Sequence, residues 1–265
     1  MSQKDGRQTA RENEVRVLRA LHRFGWLRTR DLAALCWRRW ASRPGAPPSV
    51  SATEPTASAI RMAQRTLSRL RDSRMIITSQ GPEGSVISAL AEGGVRALKN
   101  AGVTAVSGKD LVRGFSIAYY RHRSIANQIA ISGMMQGFRV STEREIARGL
   151  WLGGEAGIAG KRPDVLLRSG SLVWWIEVER SRKNAKDYKA LLAWMGTVLR
   201  DSNRSDGSRL LAPGQAWGQL IFICTQAFER KLRRDLESVG WTRQQIDVLT
   251  CFESELYIFE DTLFP

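Results

Sequence analysis

The sequence predicts an α/β protein in two parts. A basic, mainly helical N-terminal unit closed by a β-hairpin is followed by a mixed central sheet sandwiched between helices. Three observations carry this. The chain has 265 residues, 43% of them apolar, enough for one good core and more naturally two. Apolar residues recur at helical spacing through the first 71 positions and then switch to two short strand-like runs around a Gly-Pro-Glu-Gly turn. Beyond residue 107 the order is helix, hairpin, strand, helix, strand, helix, strand, which describes a sheet covered by helices. The expected division is therefore 1–107 and 108–265.

Charge narrows the partner. Lys and Arg number 41 against 26 acids, a formal +15. Residues 1–107 hold 18 basic and 8 acidic residues, and the remainder hold 23 and 18. An Arg-heavy first third fits a polyanion, because the guanidinium fork matches phosphate and guanine edges. No segment has the large apolar face of an interfacial helix, and no apolar run is long enough to span a bilayer. The polar N-terminus, MSQKDGRQTARENE, does not look like a secretory signal. Cys36, Cys224 and Cys251 are widely spaced and lack metal-ligand spacing, so they read as thiols of a reducing, bacterial cytoplasm.

In order, Val17, Leu18, Leu21 and Phe24 give residues 13–24 a helical apolar face. Thr29 is expected to cap a second helix with Leu32, Leu35 and Cys36 inside. A Pro/Ser/Ala-rich stretch, about 41–58, is expected to be a mobile loop. The third helix, about Ser58–Arg71, buries Ile60, Ala63, Leu67 and Leu70. On another face Arg61, Arg65 and Arg69 recur every four residues beside Gln64 and Ser68. Three helices and then a hairpin (75–90) is the order of a winged helix-turn-helix. Its third helix would present Arg61, Gln64, Arg65, Ser68 and Arg69 to double-stranded DNA. The competing interpretation is an interaction module with a solvated arginine face.

In the second part, residues 116–135 read as a helix with Ile117, Ile125, Ile129 and Ala130 apolar and with His122 and Asn127 as unusual polar members. Ser141 or Thr142 caps a helix carrying Glu143 and Glu145. KRPDVLLRSGSLVWWIEVERSRK (161–183) then reads as a hairpin with Ser169-Gly170 at its tip, pairing Asp164 with Trp175. That register puts Asp164, Glu177 and Glu179 on one face, with Asp164 and Glu177 about 7–8 Å apart at Cα. Three carboxylates on one face need a divalent cation or basic neighbours such as Lys183, Lys186 and Lys189. GQLIFICT and QIDVLTCF are expected strands, with AFERKLRRDLESVG a basic amphipathic helix between them.

A helix Glu, then Pro163-Asp164, then Glu177-Val178-Glu179 resembles the PD-(D/E)xK nuclease fold. The resemblance implies Glu145 (or Glu143) as helix acid, Asp164 and Glu177 as ligands of Mg²⁺ or Mn²⁺, and a catalytic Lys. Here Glu179 stands in the lysine position, so Lys183 would have to act instead. With the winged helix, RHRSIANQ (121–128) and EVERSRKNAKDY (177–188), residues 13–200 are similar to the replication-relaxation family of plasmids and integrative elements, including MobC-type relaxases. That similarity implies roles for His122 and Asn127 and makes Tyr188 a residue to test.

Two functions follow. One is metal-dependent DNA nicking for a plasmid, integrative element or phage, the metal polarising the phosphate and activating water. The other is a catalytically inactive DNA-binding replication or transcription regulator whose sheet is a docking or homodimer platform, with Arg180, Arg182 and the helix lysines offsetting the acids. A component of a defence system is a third, weaker option.

Overall fold

The computed structural model describes residues 5–51, 53–114, 116–179 and 184–254. Helix α1 (Gly6–Phe24) starts ahead of the apolar stripe because the Asp5 side chain caps it by accepting the Arg7 N–H. It ends at Gly25, whose φ of 83° suits a residue without Cβ and whose N–H reaches the Leu21 carbonyl at 2.8 Å. Strand β1 (Trp26–Arg28) runs straight into α2 (Thr29–Cys36). Thr29 is thus the first residue of α2 and not its cap. Arg28 holds the cap position, and its N–H donates to the Asp31 carboxylate at 3.0 Å.

Thr56 caps α3 (Ala57–Asp72), which buries Ala59, Ala63, Thr66, Leu67 and Leu70. Strands β2 (Ile76–Gln80) and β3 (Val86–Leu90) form the expected hairpin, and β1 pairs with β3 to give an antiparallel sheet in the order β1-β3-β2. Helix α4 (Glu92–Asn100) closes the unit. Residues 41–51 form no regular element but are bonded to α5 (Ile117–Met135) and its cap. The Ala41 N–H donates to the Met135 carbonyl at 2.8 Å, and the Gln136 amide takes the Ser49 N–H (2.9 Å) and donates to its carbonyl (2.7 Å).

The second sheet has β4 (Arg139–Ser141), β5 (Val165–Ser169), β6 (Leu172–Glu179), β7 (Ala216–Cys224) and β8 (Thr250–Glu253), side by side in that order. The first three are antiparallel and the last three parallel, so the sheet is mixed as expected. Its helices are α6 (Glu143–Ala147), α7 (Ala185–Ser202), α8 (Gln226–Ser238) and α9 (Arg243–Leu249). QIDVL, expected as strand, is α9: Thr242 and Gln245 form a capping box, and the strand is confined to Thr250–Glu253.

The β5–β6 hairpin turns at Gly170-Ser171 and not at Ser169-Gly170. Ser169 pairs with Leu172, and Gly170, with φ 55°, takes the first central position, where primed turns need positive φ. The register therefore moves by two residues, and Leu166 faces Trp175. A two-residue shift keeps every side chain on its expected face. On β6, Trp174, Ile176 and Val178 pack with α5, while Val173 and Trp175 pack with α7, α8 and α9.

One apolar core runs from α1 and α2 through α5 to the second sheet. Helix α5 is buried on almost every side from Arg123 to Met134, which is why its sequence shows little amphipathic pattern. Three of its buried polar residues reach the N-terminal unit. Arg123 donates to the Phe24 carbonyl at 2.6 Å, Asn127 to the Trp26 carbonyl at 3.3 Å, and Gln128 to Asp31 Oδ1 at 2.8 Å. Asp31 in turn holds Arg28 through Nε (3.0 Å) and Nη2 (3.1 Å), with both side chains buried. Asp31→Ala removes the nearest carboxylate from a buried guanidinium, leaving Glu83 at 3.9 Å, and should cost about 3–5 kcal/mol. Urea denaturation of the full chain, read as a fall in the midpoint, checks it.

Candidate functional site

The acids of the 161–183 stretch meet at the junction of β5, β6 and α5, and the protein supplies its own cations. Asp164 precedes β5. Its Oδ2 accepts the Val178 N–H at 2.7 Å, and its Oδ1 lies 3.3 Å from His122 Nε2. Glu177 Oε1 takes Lys161 Nζ at 2.5 Å and the Trp175 indole N–H at 2.6 Å. Lys161 also stands 5.9 Å from the Trp175 ring and 5.5 Å from that of Trp194, so the ammonium rests between a carboxylate and two aromatic faces. Glu177 and Glu179 are both buried, 5% exposed each.

These contacts divide the protons unequally. Burial pushes the Asp164 carboxyl up, but the His122 hydrogen bond and charge, with the Val178 N–H and Lys161, hold it below its ordinary range. Burial pulls His122 down, and Asp164, with help from Glu143 and Glu177, outweighs this and raises it to about 9. Glu177 goes the other way: burial, opposed by Lys161 but reinforced by Asp164 and Glu179, raises it to about 7.

Several expected residues are placed differently. Glu145 is not the acid of this cluster. Both its oxygens are taken by Arg23 (2.7 and 3.1 Å), and Oε2 also accepts the Thr142 N–H in the cap of α6. Glu143, one residue into α6, is the acid whose charge reaches Asp164 and His122, and burial raises its own proton affinity. The reason is the capping box, which needs the acid at the third helical position to turn back on the cap. Lys183, with Arg180 and Arg182, lies outside the described residues, while Lys186 and Lys189 are exposed. The cation beside Glu177 is Lys161, at the start of the KRPD run. Ile117 is 60% exposed and not part of the α5 core.

Asn127 binds the Trp26 carbonyl and not the acid cluster. Tyr188 donates its hydroxyl to Asp235 at 2.9 Å beneath Lys231, whose Nζ is 3.4 Å from the ring centre. Burial and the Asp235 hydrogen bond push the phenol above its ordinary range, the opposite of what a tyrosine nucleophile needs. Of the RHRSIANQ segment, His122 lies against Asp164. Sequence reasoning missed Lys161, Arg123 and Gln128. The signal for the last two was a run of polar residues inside an otherwise apolar helix.

The carboxylates expected as metal ligands already have partners of their own. Asp164 directs both oxygens at donors, Glu177 Oε1 is shared by two, and among the described residues no group of three His, Cys, Asp or Glu is spaced to hold an ion.

Helix α3 offers a different surface. Arg61, Gln64, Arg65 and Ser68 are all exposed on one face. Among the described residues neither Arg61 nor Arg65 has an acidic partner. Arg69 does not join them: its Nε is bound to Glu14 of α1 at 2.9 Å. The hairpin tip is likewise committed, with Glu83 accepting the Tyr120 hydroxyl at 2.6 Å. Among the described residues no helix is long and apolar enough to cross a membrane.

His122 holds its proton more tightly folded than unfolded. Its stabilising contribution is full below its ordinary value of 6.5 and is lost as pH rises through about 9. The melting temperature of the wild type should fall across that window, and His122→Gln should flatten the fall. Thermal denaturation from pH 6 to 9.5 decides, and equal slopes would rule out a charged His122–Asp164 pair.

Comparison of the chain with protein-family models, with curated proteins and with solved structures returned no match.

Proposed function

We propose that this is a double-stranded-DNA-binding protein with a winged helix-turn-helix-like N-terminal unit. Its PD-(D/E)xK-like second sheet serves as a platform and not as a nuclease. The observation that carries the proposal is α3: its apolar side is fixed in the core while Arg61, Gln64, Arg65 and Ser68 stand together in solvent. Such a face suits the major groove, where Arg reads guanine and Gln reads adenine. The hairpin tip contributes little, because it carries Glu83 and is tied to α5. The platform half rests on the cluster's internal neutralisation by His122 and Lys161. Regulation of replication or transcription on a mobile element is the setting that the family resemblance supplies.

Metal-dependent nicking is the second reading, with Asp164 and Glu177 as ligands of Mg²⁺ or Mn²⁺. It is favoured by the burial of Glu177 and Glu179 on one face of β6 beside Asp164. It requires His122 and Lys161 to be displaced.

Selection from a random duplex pool should return a bound sequence. Arg61→Ala/Arg65→Ala should weaken it by about 1–3 kcal/mol per lost base contact, while each lost phosphate contact lowers the salt slope by about 1. Undiminished binding by that variant would refute α3 as the reading element. For the cluster, Mg²⁺ or Mn²⁺ should leave the melting temperature and a supercoiled plasmid unchanged. A metal-induced rise that Asp164→Ala abolishes, or metal-dependent nicking, would replace the platform by the nuclease.

A further inference from the structure

Helix α1 forms one wall of a groove that neither α3 nor the acid cluster touches. Arg11, Arg16 and Arg19 line it together with Trp40 and the buried Phe24 and Met134. It encloses about 620 Å³ and continues past Trp40 into a second depression of about 400 Å³ reaching Arg139.

The charge in this groove is mostly uncommitted. Among the described residues Arg11 and Arg19 have no acidic partner, whereas Arg23, deeper in, is neutralised by Glu145. Arg16 donates one N–H to the Cys36 carbonyl at 2.6 Å, which holds the guanidinium against the wall and leaves it other donors. Glu12 is the acid of the lining.

Trp40 is 50% exposed although its indole N–H is already bonded to the Leu35 carbonyl at 2.9 Å. The ring is therefore held in place with its polar handle used, and what it offers a ligand is a flat π surface. Fixed aromatic surface and fork-shaped cations along an apolar floor together match a nucleotide, with phosphate on the arginines and base on the ring. A duplex keeps its base faces stacked inside, so it cannot use Trp40. An unpaired strand can.

We infer that the α1–Trp40 groove binds single-stranded nucleic acid, one base stacking on Trp40 and the backbone running along Arg11, Arg16 and Arg19. This site is separate from the duplex face of α3 and does not depend on it.

The test is fluorescence anisotropy on the full chain at physiological salt. The probes are labelled oligothymidine and oligouridine of about twelve nucleotides and a duplex selected by the wild type. Trp40→Ala should weaken the single strands about tenfold, and Trp40→Phe should restore most of the loss. Arg11→Gln/Arg19→Gln, at exposed positions, should also weaken them and keeps the test valid if Trp40→Ala fails to fold. Arg61→Ala/Arg65→Ala should leave single-strand binding intact. The inference is overturned if neither oligonucleotide binds, or if the Trp40 and Arg11/Arg19 variants bind like wild type. Displacement of the strand by polyglutamate, with the polyglutamate indifferent to Trp40, would overturn it in favour of an acidic peptide.

Discussion

The burial of α5 is the constraint on which the rest of the structure depends. On a helix enclosed from Arg123 to Met134 the polar side chains need partners, because an unmet buried donor costs about 1–3 kcal/mol. Arg123, Asn127 and Gln128 reach across to the Phe24 and Trp26 carbonyls and to Asp31. Sliding or rotating the N-terminal unit on α5 would break all three at once. Because the same helix packs its apolar residues on β5 and β6, the first sheet and the second are held by one element and one core.

The opposite side of this helix sets the electrostatics of the acid cluster. His122, next to Arg123 in sequence, turns to Asp164 while Arg123 turns to the Phe24 carbonyl at the end of α1. Two cations then face the buried acids, and each acid answers to its nearest one. Asp164 has a hydrogen-bonded imidazole and a backbone N–H and is held ionised. Glu177 has Lys161 but also Asp164 and Glu179 close by, and burial prevails. A charged pair inside a protein gains little over an apolar one, and its main consequence is that neither member can be removed alone. His122 and Lys161 are thus structural requirements of the acids before any chemistry is considered.

Much of this was legible from periodicity. The stripes of α1, α2 and α3, the hairpin, α5 as a helix, and the odd/even division of β6 are all local patterns of spacing 3.6 or 2. Even the misplaced hairpin turn left Glu177 and Glu179 on the correct face, because the error was two residues. What local pattern cannot carry is the identity of a partner distant in sequence. Asp164 and His122 are 42 positions apart, and Arg23 and Glu145 are 122 apart. That is why Glu145 could pass for a site acid when Arg23 had claimed it, and why Arg69 could pass for part of a DNA face when Glu14 had claimed it. The choice between Glu143 and Glu145 was readable in principle, since Thr142 followed three positions later by Glu is the capping-box pattern.

The same pairing distinguishes where a polyanion would be drawn. In the C-terminal part several basic residues are answered, although others, such as Arg148, Arg168, Lys186 and Lys189, have no acidic partner among the described residues. Lys231 is bound to Asp235, Arg233 to Glu229 and Asp247, Arg243 to Glu237, Arg209 to Asp206, and Lys161 to Glu177. Such pairs contribute little to stability, but they cancel the field at a distance. On α1 and α3, Arg11, Arg19, Arg61 and Arg65 have no acidic counterpart among the described residues. The formal excess is two-thirds in residues 1–107, and lack of pairing concentrates the effective excess there further. The polyanion proposed as partner would be steered to the helices that carry unspent arginines, and less to the acid cluster, where Lys161 and His122 already face carboxylates.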